Sequence, residues 1–166
     1  DMAPLFYVQP RIGKNGKVFE LIKYRSMIPN AEVKLKELMK KDKKIKREYE
    51  INKKIIDDPR ITKVGRVIRR WSLDEMPQFL NVLIGNMSVI GNRPYLLGEK
   101  EEMGKYYKSI VKVKPGITGL WQISGHNNVP FKSRLELEAT YADLACLSLD
   151  IHILVRTFKA LFGGNN

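Results

Sequence analysis

Residues 69–78 read Arg69-Arg70-Trp71-Ser72-Leu73-Asp74-Glu75-Met76-Pro77-Gln78. This stretch sets two adjacent carboxylates beside guanidinium groups. Ser72 and Glu75 have the S-x-x-E spacing of a helix capping box, which predicts a helix that starts near Leu73. Pro77 lies too deep in that helix if Ser72 is the cap, and it fits the first turn if Asp74 is the cap. Both alternatives place the two acids at the start of a helix.

A helix start next to arginines favours phosphate. Free backbone N–H groups and the positive end of the helix dipole attract anions there, and Arg66, Arg69 and Arg70 add fixed positive charge. Carboxylates among arginines usually stay ionised. An ionised Asp74 can attack phosphorus as a nucleophile, and Glu75 can hold a hard divalent cation that neutralises phosphate oxygens.

A structural role for the two acids is the alternative. Glu75 would then close the capping box, and Asp74 would form a surface ion pair with an arginine. On the spacing alone this alternative is favoured, because a single Asp-Glu pair is a weak motif.

Length and composition limit the number of domains and the possible partners of the chain. A chain of 166 residues with 43% hydrophobic residues fits one domain, residues 1–166, with a real core. Its net charge of +12 indicates an acidic partner, which leaves nucleic acid, an anionic membrane surface and a phosphorylated substrate open. The single cysteine, Cys146, excludes an internal disulfide and is typical of a reducing compartment. No apolar run approaches the roughly 20 residues that span a bilayer.

The N-terminal part predicts a hairpin followed by a charged helix. Residues 5–9 and 17–24 are expected to be strands, and residues 13–16 between them contain an Asn-Gly turn signal. Residues 31 to about 56 are expected to form one long helix with a thin apolar stripe and a lysine-rich middle. A solvated surface is favoured for this helix over a nucleic-acid surface, and a membrane-facing basic helix stays open.

The middle of the chain is expected to carry two helices. Thr62 can cap a short helix that delivers the three arginines to the central stretch. The central helix should then bury its apolar residues and end at Gly85. The residues expected on its buried side are Phe79, Leu80, Val82 and Leu83.

The C-terminal half predicts a strand, a turn and further helices. The strand at residues 87–90 runs into a Gly/Asn turn that presents Arg93, either to a phosphate or to a local acid. Further elements are expected as a helix at 99–108, a glycine-punctuated strand or loop at 115–125, and helices at 131–145 and 149–162. For the last helix a core position is favoured over a membrane interface.

Several motifs together resemble one family. In chain order they are Phe6-Tyr7-Val8-Gln9 with Arg11-Ile12-Gly13, Lys23-Tyr24-Arg25-Ser26-Met27, Asp58-Pro59-Arg60, Ser72 to Gln78, Gly91-Asn92-Arg93-Pro94, and Pro115 to Gly125. The chain resembles the bacterial sugar transferases, the monotopic polyprenyl-phosphate phosphoglycosyl transferases, over nearly its whole length. Because several motifs are more specific than the acid pair alone, the resemblance reverses the preference for a structural role.

The resemblance implies a fold and a reaction. The expected fold is mixed α/β (α+β), compact and mostly helical, with a small N-terminal hairpin and amphipathic interfacial helices. The expected reaction transfers a sugar-1-phosphate from a UDP-sugar to undecaprenyl phosphate and releases UMP. It would take place on the cytoplasmic face of the bacterial inner membrane, with the membrane surface rather than nucleic acid as partner. A homodimer is left open.

The same resemblance implies roles for individual residues. Asp74 is expected to be the nucleophile that forms a covalent phosphosugar intermediate, and Glu75 to help bind Mg²⁺. Arg69 and Arg93 occupy the family's phosphate-binding positions. Arg25 and Arg70 are added to them as candidate phosphate-binding residues.

Three departures from the family pattern stand out. The family usually carries an N-terminal re-entrant membrane helix before the first strand, and the sequence of this chain does not contain one. Asn92 stands where proline usually precedes the Arg-Pro pair, and His126 follows Gly125 where arginine is commoner. Leu120-Trp121-Gln122 resembles the larger members, which often prime with galactose or glucose phosphate. The rival hypotheses are a basic nucleic-acid-binding module and a non-catalytic membrane-surface scaffold.

Overall fold

The computed structural model describes residues 4–125 and 129–162. The expected mixed and mostly helical α/β class is confirmed in these residues. The strands are β1 Phe6–Ile12, β2 Val18–Tyr24, β3 Ser88–Ile90 and β4 Gly116–Thr118. The α-helices are α1 Ala31–Lys41, α2 Lys43–Asn52, α3 Lys63–Arg70, α4 Gln78–Leu83, α5 Lys100–Met103, α6 Tyr107–Ile110, α7 Leu120–Ile123, α8 Phe131–Leu144 and α9 Leu147–Phe162.

The described residues cluster into two compact units. The first unit contains the chain up to Tyr7 together with Lys23–Met76, and the second contains Val8–Ile22 and the chain from Pro77 onward. The division falls within both strands of the hairpin. Among the described residues, no helix has the length and apolar character that crossing a membrane requires.

The N-terminal hairpin is confirmed. Strands β1 and β2 pair in a two-stranded sheet, with a short 3-10 turn at Lys14–Gly16 between them. Asn15 takes a left-handed conformation with φ of 57°, as an Asn-Gly turn predicts. Strand β1 runs on to Ile12, beyond the predicted end.

The single long helix predicted after the hairpin is wrong, because the chain breaks at Asp42. This residue has an extended backbone, and its carboxylate accepts hydrogen bonds from the N–H groups of Lys44 and Ile45 at 2.7 and 3.3 Å. An aspartate in this conformation is a strong N-cap, and it starts α2 as a separate helix. The helix predicted at 99–108 is likewise split, with a 3-10 turn at Gly104–Tyr106 between α5 and α6.

The core of the second unit is built on β1, α5, α6 and α8. Its main cluster contains the side chains of Ile12, Tyr95, Met103, Ile110, Phe131 and Leu135. A second cluster joins Phe19 and Leu21 of β2 to Met87. The parallel pairing of β3 with β4, in the register Ser88 with Gly116 and Ile90 with Thr118, was not predicted.

Helix α4 differs from the predicted burial at three of four positions, whereas Val82 is half-buried and packs against the second core cluster as expected. Phe79, Leu80 and Leu83 are exposed, Leu83 by 81%, whereas Gln78 and Asn81 are buried. The Asn81 side chain explains the difference, because its Oδ1 accepts the N–H of Ile22 at 3.1 Å and its Nδ2 donates to the carbonyl of Glu20 at 2.7 Å. A buried amide that satisfies two main-chain groups of β2 is stable inside the protein.

Helix α9 begins at Leu147 and has two different faces. Ile153 is fully buried, so one face joins the core as expected. Leu147, Ile151 and Val155 are exposed on the other face. The predicted core position is therefore correct for one face of α9 and wrong for the other face.

Candidate active site

Helix α3 delivers the arginines as predicted. Thr62 Oγ1 accepts the N–H of Gly65 at 2.8 Å, which is the expected N-cap bond. Gly65 lies against the carbonyl oxygen of Ser26, and a Cβ at this position would be 1.9 Å from that oxygen. This close approach fixes the helix carrying Arg69 and Arg70 against the segment that follows β2.

The capping box predicted at Ser72 is wrong. Ser72 has a left-handed backbone with φ of 53° and makes no side-chain cap bond. Residues 71–72 form a turn after α3, and the left-handed backbone of Ser72 differs from the extended conformation of a typical N-cap. A 3-10 turn, Leu73–Glu75, follows in place of a regular helix start, and Pro77 precedes α4.

The turn buries Asp74 next to Arg69. Only 7% of Asp74 is exposed, and its Oδ2 lies 3.9 Å from Arg69 Nε. Arg69 Nε donates a hydrogen bond to Ser26 Oγ at 2.8 Å. Ser26 therefore orients the guanidinium, which faces Asp74 as a nearby charge rather than as a tightly bonded partner.

Burial determines the ionisation of Asp74. It raises the pKa of this carboxyl above its ordinary value, Lys23 and Arg69 oppose the rise, and Glu75 adds to it. The sequence predicts that nearby arginines lower the pKa of Asp74. In the structure, burial raises this pKa by more than the nearby positive charges lower it. A raised pKa makes a carboxylate more basic and hence a better nucleophile once it has lost its proton.

Lys23 is a site residue that the sequence interpretation missed. Its Nζ lies 2.6 Å from Glu75 Oε1, at the end of β2. Ser26 was missed in the same way, although both residues belong to the Lys-Tyr-Arg-Ser-Met motif. The sequence does not indicate that Lys23 lies close to the two acids, because 52 positions separate it from Glu75.

Two predicted phosphate-binding residues have other partners in the structure. Arg25 Nε donates to the carbonyl of Pro4 at 2.8 Å, and its guanidinium lies 5.8 Å from the Tyr7 ring centre. The Arg70 guanidinium lies 6.0 Å from the ring centre of the adjacent Trp71. The structure thus brings together Arg69, Asp74 and Glu75 from the predicted set and adds Lys23 to them.

Arg93 belongs to the second unit, in the turn after β3. Its backbone N–H donates to Glu138 Oε1 at 2.9 Å, and its guanidinium lies 6.0 Å from the Tyr95 ring centre. Arg93 Nε is buried and has no hydrogen-bond partner within residues 4–125 and 129–162. Asn92, which departs from the family pattern in the same turn, donates a hydrogen bond from its side chain to the carbonyl of Ile110 at 3.0 Å. His126, another departure from that pattern, lies outside the described residues.

Asp74 and Glu75 carry the oxygen ligands that a hard divalent cation prefers. In the part of the chain that the structure describes, no three His, Cys, Asp or Glu side chains form a group that could enclose a metal ion. Mg²⁺ commonly takes only one or two protein carboxylates and completes its shell with water and substrate phosphates. Glu75, with its neighbour Asp74, supplies oxygen ligands of that kind, so these residues fit a magnesium ion shared with a phosphorylated substrate.

Comparisons with known proteins agree on one family. A family model described as "Bacterial sugar transferase" matches residues 1–164. The chain is 43% identical, over 97% of its length, to the undecaprenyl-phosphate galactose phosphotransferase of Salmonella typhimurium, and covers 34% of that protein. It is 35% identical, over 93% of its length, to the UDP-glucose:undecaprenyl-phosphate glucose-1-phosphate transferase of Escherichia coli, and covers 32% of it.

A shorter relative matches over more of its own length. The exopolysaccharide production protein ExoY of Sinorhizobium fredii is 38% identical over 97% of this chain, which covers 71% of that protein. The chain thus spans about a third of the length of several curated relatives, such as the Salmonella protein at 34%, and most of ExoY.

Proposed function

Because the chain belongs to the bacterial sugar transferase family, we propose that it transfers a sugar-1-phosphate from a UDP-sugar to undecaprenyl phosphate and releases UMP. The names of the Salmonella and Escherichia relatives support this class of acceptor and donor. The observation that carries the proposal is the buried Asp74, which lies 3.9 Å from Arg69 and next to Glu75. The product would begin the assembly of a polysaccharide or glycoconjugate.

In the first step Asp74 acts as the nucleophile. One of its carboxylate oxygens attacks the β-phosphorus of the UDP-sugar and forms a new P–O bond. The bond from that phosphorus to the bridging oxygen breaks, and UMP leaves with the electron pair. The guanidinium of Arg69 lies where it can reduce the repulsion between an anionic nucleophile and a diphosphate.

In the second step the lipid phosphate resolves the intermediate. An oxygen of undecaprenyl phosphate attacks the same phosphorus, the bond to Asp74 breaks, and the carboxylate is regenerated. Both steps use one phosphate-binding site, as a two-step displacement allows. Ser26 orients Arg69 through a hydrogen bond to its Nε.

We assign the metal-binding role to Glu75. Mg²⁺ bound there would neutralise charge on the diphosphate oxygens. Lys23 Nζ forms an ion pair of 2.6 Å with Glu75 Oε1 in the structure. A metal-binding Glu75 would therefore exchange or share this ammonium partner.

Exposed apolar side chains support a membrane surface as partner. In the first unit, α3 and the turn after it expose Val64, Val67 and Trp71, the last by 61%. The exposed Arg66 and Arg70 belong to the same segment. Apolar and basic side chains together are typical of segments that lie in a lipid interface. We place the protein at the cytoplasmic face of the bacterial inner membrane, where a lipid-linked acceptor and a UDP-sugar can meet.

The first test measures UMP release from a panel of UDP-sugars with Mg²⁺ and undecaprenyl phosphate. Without the lipid, the parent protein should release about one UMP per chain and gain the mass of one sugar phosphate, since the intermediate is covalent. Asp74→Asn should release none and gain no mass. Asp143→Asn is the matched control, because Asp143 forms an exposed ion pair with Lys112.

The outcomes separate the proposal from its main rival. UMP release by the parent and the Asp143 variant, with one donor preferred, would support the mechanism and identify the sugar. If no donor yields UMP while the folded parent binds anionic vesicles, the catalytic proposal fails and a membrane-surface scaffold explains the fold.

A further inference from the structure

Hydrogen bonds hold the main chain of the Arg93 turn at nearly every residue. The bonds to its neighbours are Gly91 N to Thr118 O at 2.9 Å, Gly116 N to Asn92 O at 2.8 Å, Arg11 Nη1 to Pro94 O at 3.0 Å, and Ile12 N to Tyr95 O at 2.9 Å. Strands β1 and β4 and the residues beside them supply these partners. The backbone on both sides of Arg93 is therefore fixed by three main-chain hydrogen bonds and one bond from the Arg11 side chain.

At Arg93 itself, the main-chain bond comes from a side chain of α8. Glu138 Oε1 accepts the Arg93 N–H at 2.9 Å, and Glu138 is only 1% exposed. The bond joins a main-chain donor to a buried acceptor, so it restrains the turn at Arg93. It reaches the turn from 45 positions away in the sequence.

Glu138 bonds the backbone N–H of Arg93 and makes no hydrogen bond to its Nε. Arg93 Nε and Glu138 Oε2 are both buried and without hydrogen-bond partners in the described part of the chain. Arg134, one helical turn before Glu138, stacks on Trp121 with 4.4 Å between its guanidinium and the ring centre. Burial raises the pKa of Glu138 to about 8, and the positive charges of Arg93 and Arg134 oppose this rise.

We infer that Glu138 is a positioning residue, which sets the backbone of Arg93 so that its guanidinium meets a phosphate group of the nucleotide sugar. The inference rests on the proposed function, because it takes Arg93 as a phosphate-binding residue. A buried Glu138 with a purely structural role would stabilise the fold without affecting ligand affinity. Partners that orient a ligand-binding group typically change affinity or activity about 10–100-fold when they are removed.

Two substitutions of similar volume isolate the hydrogen bond. Glu138→Gln retains an oxygen that can accept the Arg93 N–H, whereas Glu138→Met removes the acceptor and fills the same space. We expect Glu138→Met to raise KM for the UDP-sugar about 10–100-fold, and Glu138→Gln to stay within about 3-fold of the parent. Thermal unfolding of each variant checks that it is folded.

Glu99→Met is the matched control. Glu99 is also buried, and its Oε2 accepts the N–H of Leu96 at 2.7 Å, so it makes the same type of bond at another turn of the same unit. We expect KM to change less than about 3-fold in this folded variant. A double variant of Arg93→Ala and Glu138→Met should be no weaker than Arg93→Ala alone, because the two residues act as one unit.

The inference is wrong if Glu138→Met leaves KM unchanged or if Glu99→Met raises KM equally. It is also wrong if the increase in KM in the double variant equals the product of the increases in Arg93→Ala and Glu138→Met. These results would leave the proposed function intact as long as the parent turns over. If the parent releases no UMP, the same variants are compared for the dissociation constant of UDP with Mg²⁺, where the same order of affinities is expected. A parent that neither turns over nor binds UDP overturns both proposals.

Discussion

Lys23 Nζ lies 2.6 Å from Glu75 Oε1, and the same ammonium group acts on the neighbouring carboxyl. Burial raises the pKa of Asp74, and the charge of Lys23 is the largest effect that opposes the rise. One lysine at the end of β2 therefore serves both acids. It pairs with Glu75 and keeps Asp74 closer to its ionised form.

Replacing Lys23 should move the acidic limb of the pH–rate profile to higher pH. In Lys23→Met the pKa of Asp74 rises further, so a smaller fraction of the nucleophile is ionised at any given pH. The measurement is the pH dependence of UMP release in single-turnover experiments. Lys34→Met, which removes an exposed pair with Glu37, should leave the limb in place. An unmoved limb in Lys23→Met would contradict the assignment of Asp74 as the ionised nucleophile.

Ser26→Ala should weaken the site without unfolding the chain. The hydroxyl of Ser26 accepts the hydrogen bond of Arg69 Nε at 2.8 Å, and its loss allows the guanidinium to move away from Asp74. A bond worth about 1 kcal/mol corresponds to about a 5-fold loss in kcat/KM. Steady-state kinetics of Ser124→Ala provide the comparison, because Ser124 Oγ bonds the Leu120 carbonyl within its own helix. Equal losses in both variants would remove Ser26 from the site.

Gly65→Ala should destabilise the protein although alanine favours helices. The new Cβ would lie 1.9 Å from the Ser26 carbonyl oxygen, so the helix must shift away from the segment it packs against. Such overpacking costs about 1–3 kcal/mol in the free energy of unfolding, which exceeds the gain of up to about 1 kcal/mol in helix propensity. Urea denaturation measures the difference.

Gly98→Ala is the control for that experiment, because a Cβ there would have no neighbouring atom within 4 Å. We expect its free energy of unfolding to stay within about 0.5 kcal/mol of the parent. If Gly65→Ala were as stable as Gly98→Ala, the close contact between α3 and Ser26 would not exist in solution.

The free energy of unfolding should depend on the ionisation of Glu138. Burial raises the pKa of this carboxyl to about 8 despite the opposing Arg93 N–H and the charges of Arg93 and Arg134. The folded protein then holds a proton that the unfolded chain releases near its ordinary pKa of 4.5. Stability of the parent should therefore fall as pH rises between those two values, by at most about 1.4 kcal/mol per pH unit.

Glu138→Gln removes that dependence. Its stability relative to the parent should increase from pH 5 towards the folded pKa of about 8 and then level off. Urea denaturation at several pH values measures the trend. A constant difference between Glu138→Gln and the parent would show that Glu138 is ionised throughout.

Short sequence signals correctly predicted two local features, a helix cap and a hairpin turn. Thr62 caps α3 as its position indicates, and the Asn-Gly turn closes the hairpin. Ser72 belongs to the same class of capping residue as Thr62, yet it adopts a left-handed conformation in the turn after α3 and makes no cap bond. Spacing alone could not separate these two cases. Asp42 was a capping signal within a lysine-rich run, and an interpretation by apolar periodicity passed over it.

Contacts between distant residues could not be predicted. The pairing of Lys23 with Glu75 and of Arg93 with Glu138 depends on which segments fold together, and no pattern within either segment indicates it. The burial of Asn81 is similar, because its partners lie on β2, about 60 positions earlier in the chain. The acids and Arg69 were identified as a site through motifs, whereas the residues that hold them required the structure.

The amide of Asn81 does for β2 what one residue of a further strand would do. It gives a donor to the carbonyl of Glu20 and an acceptor to the N–H of Ile22, the two groups that a neighbouring strand would use. Unpaired edges of this kind recruit strands from other chains and promote aggregation. A two-stranded hairpin is thus protected at that point against association with a second molecule, without a third strand.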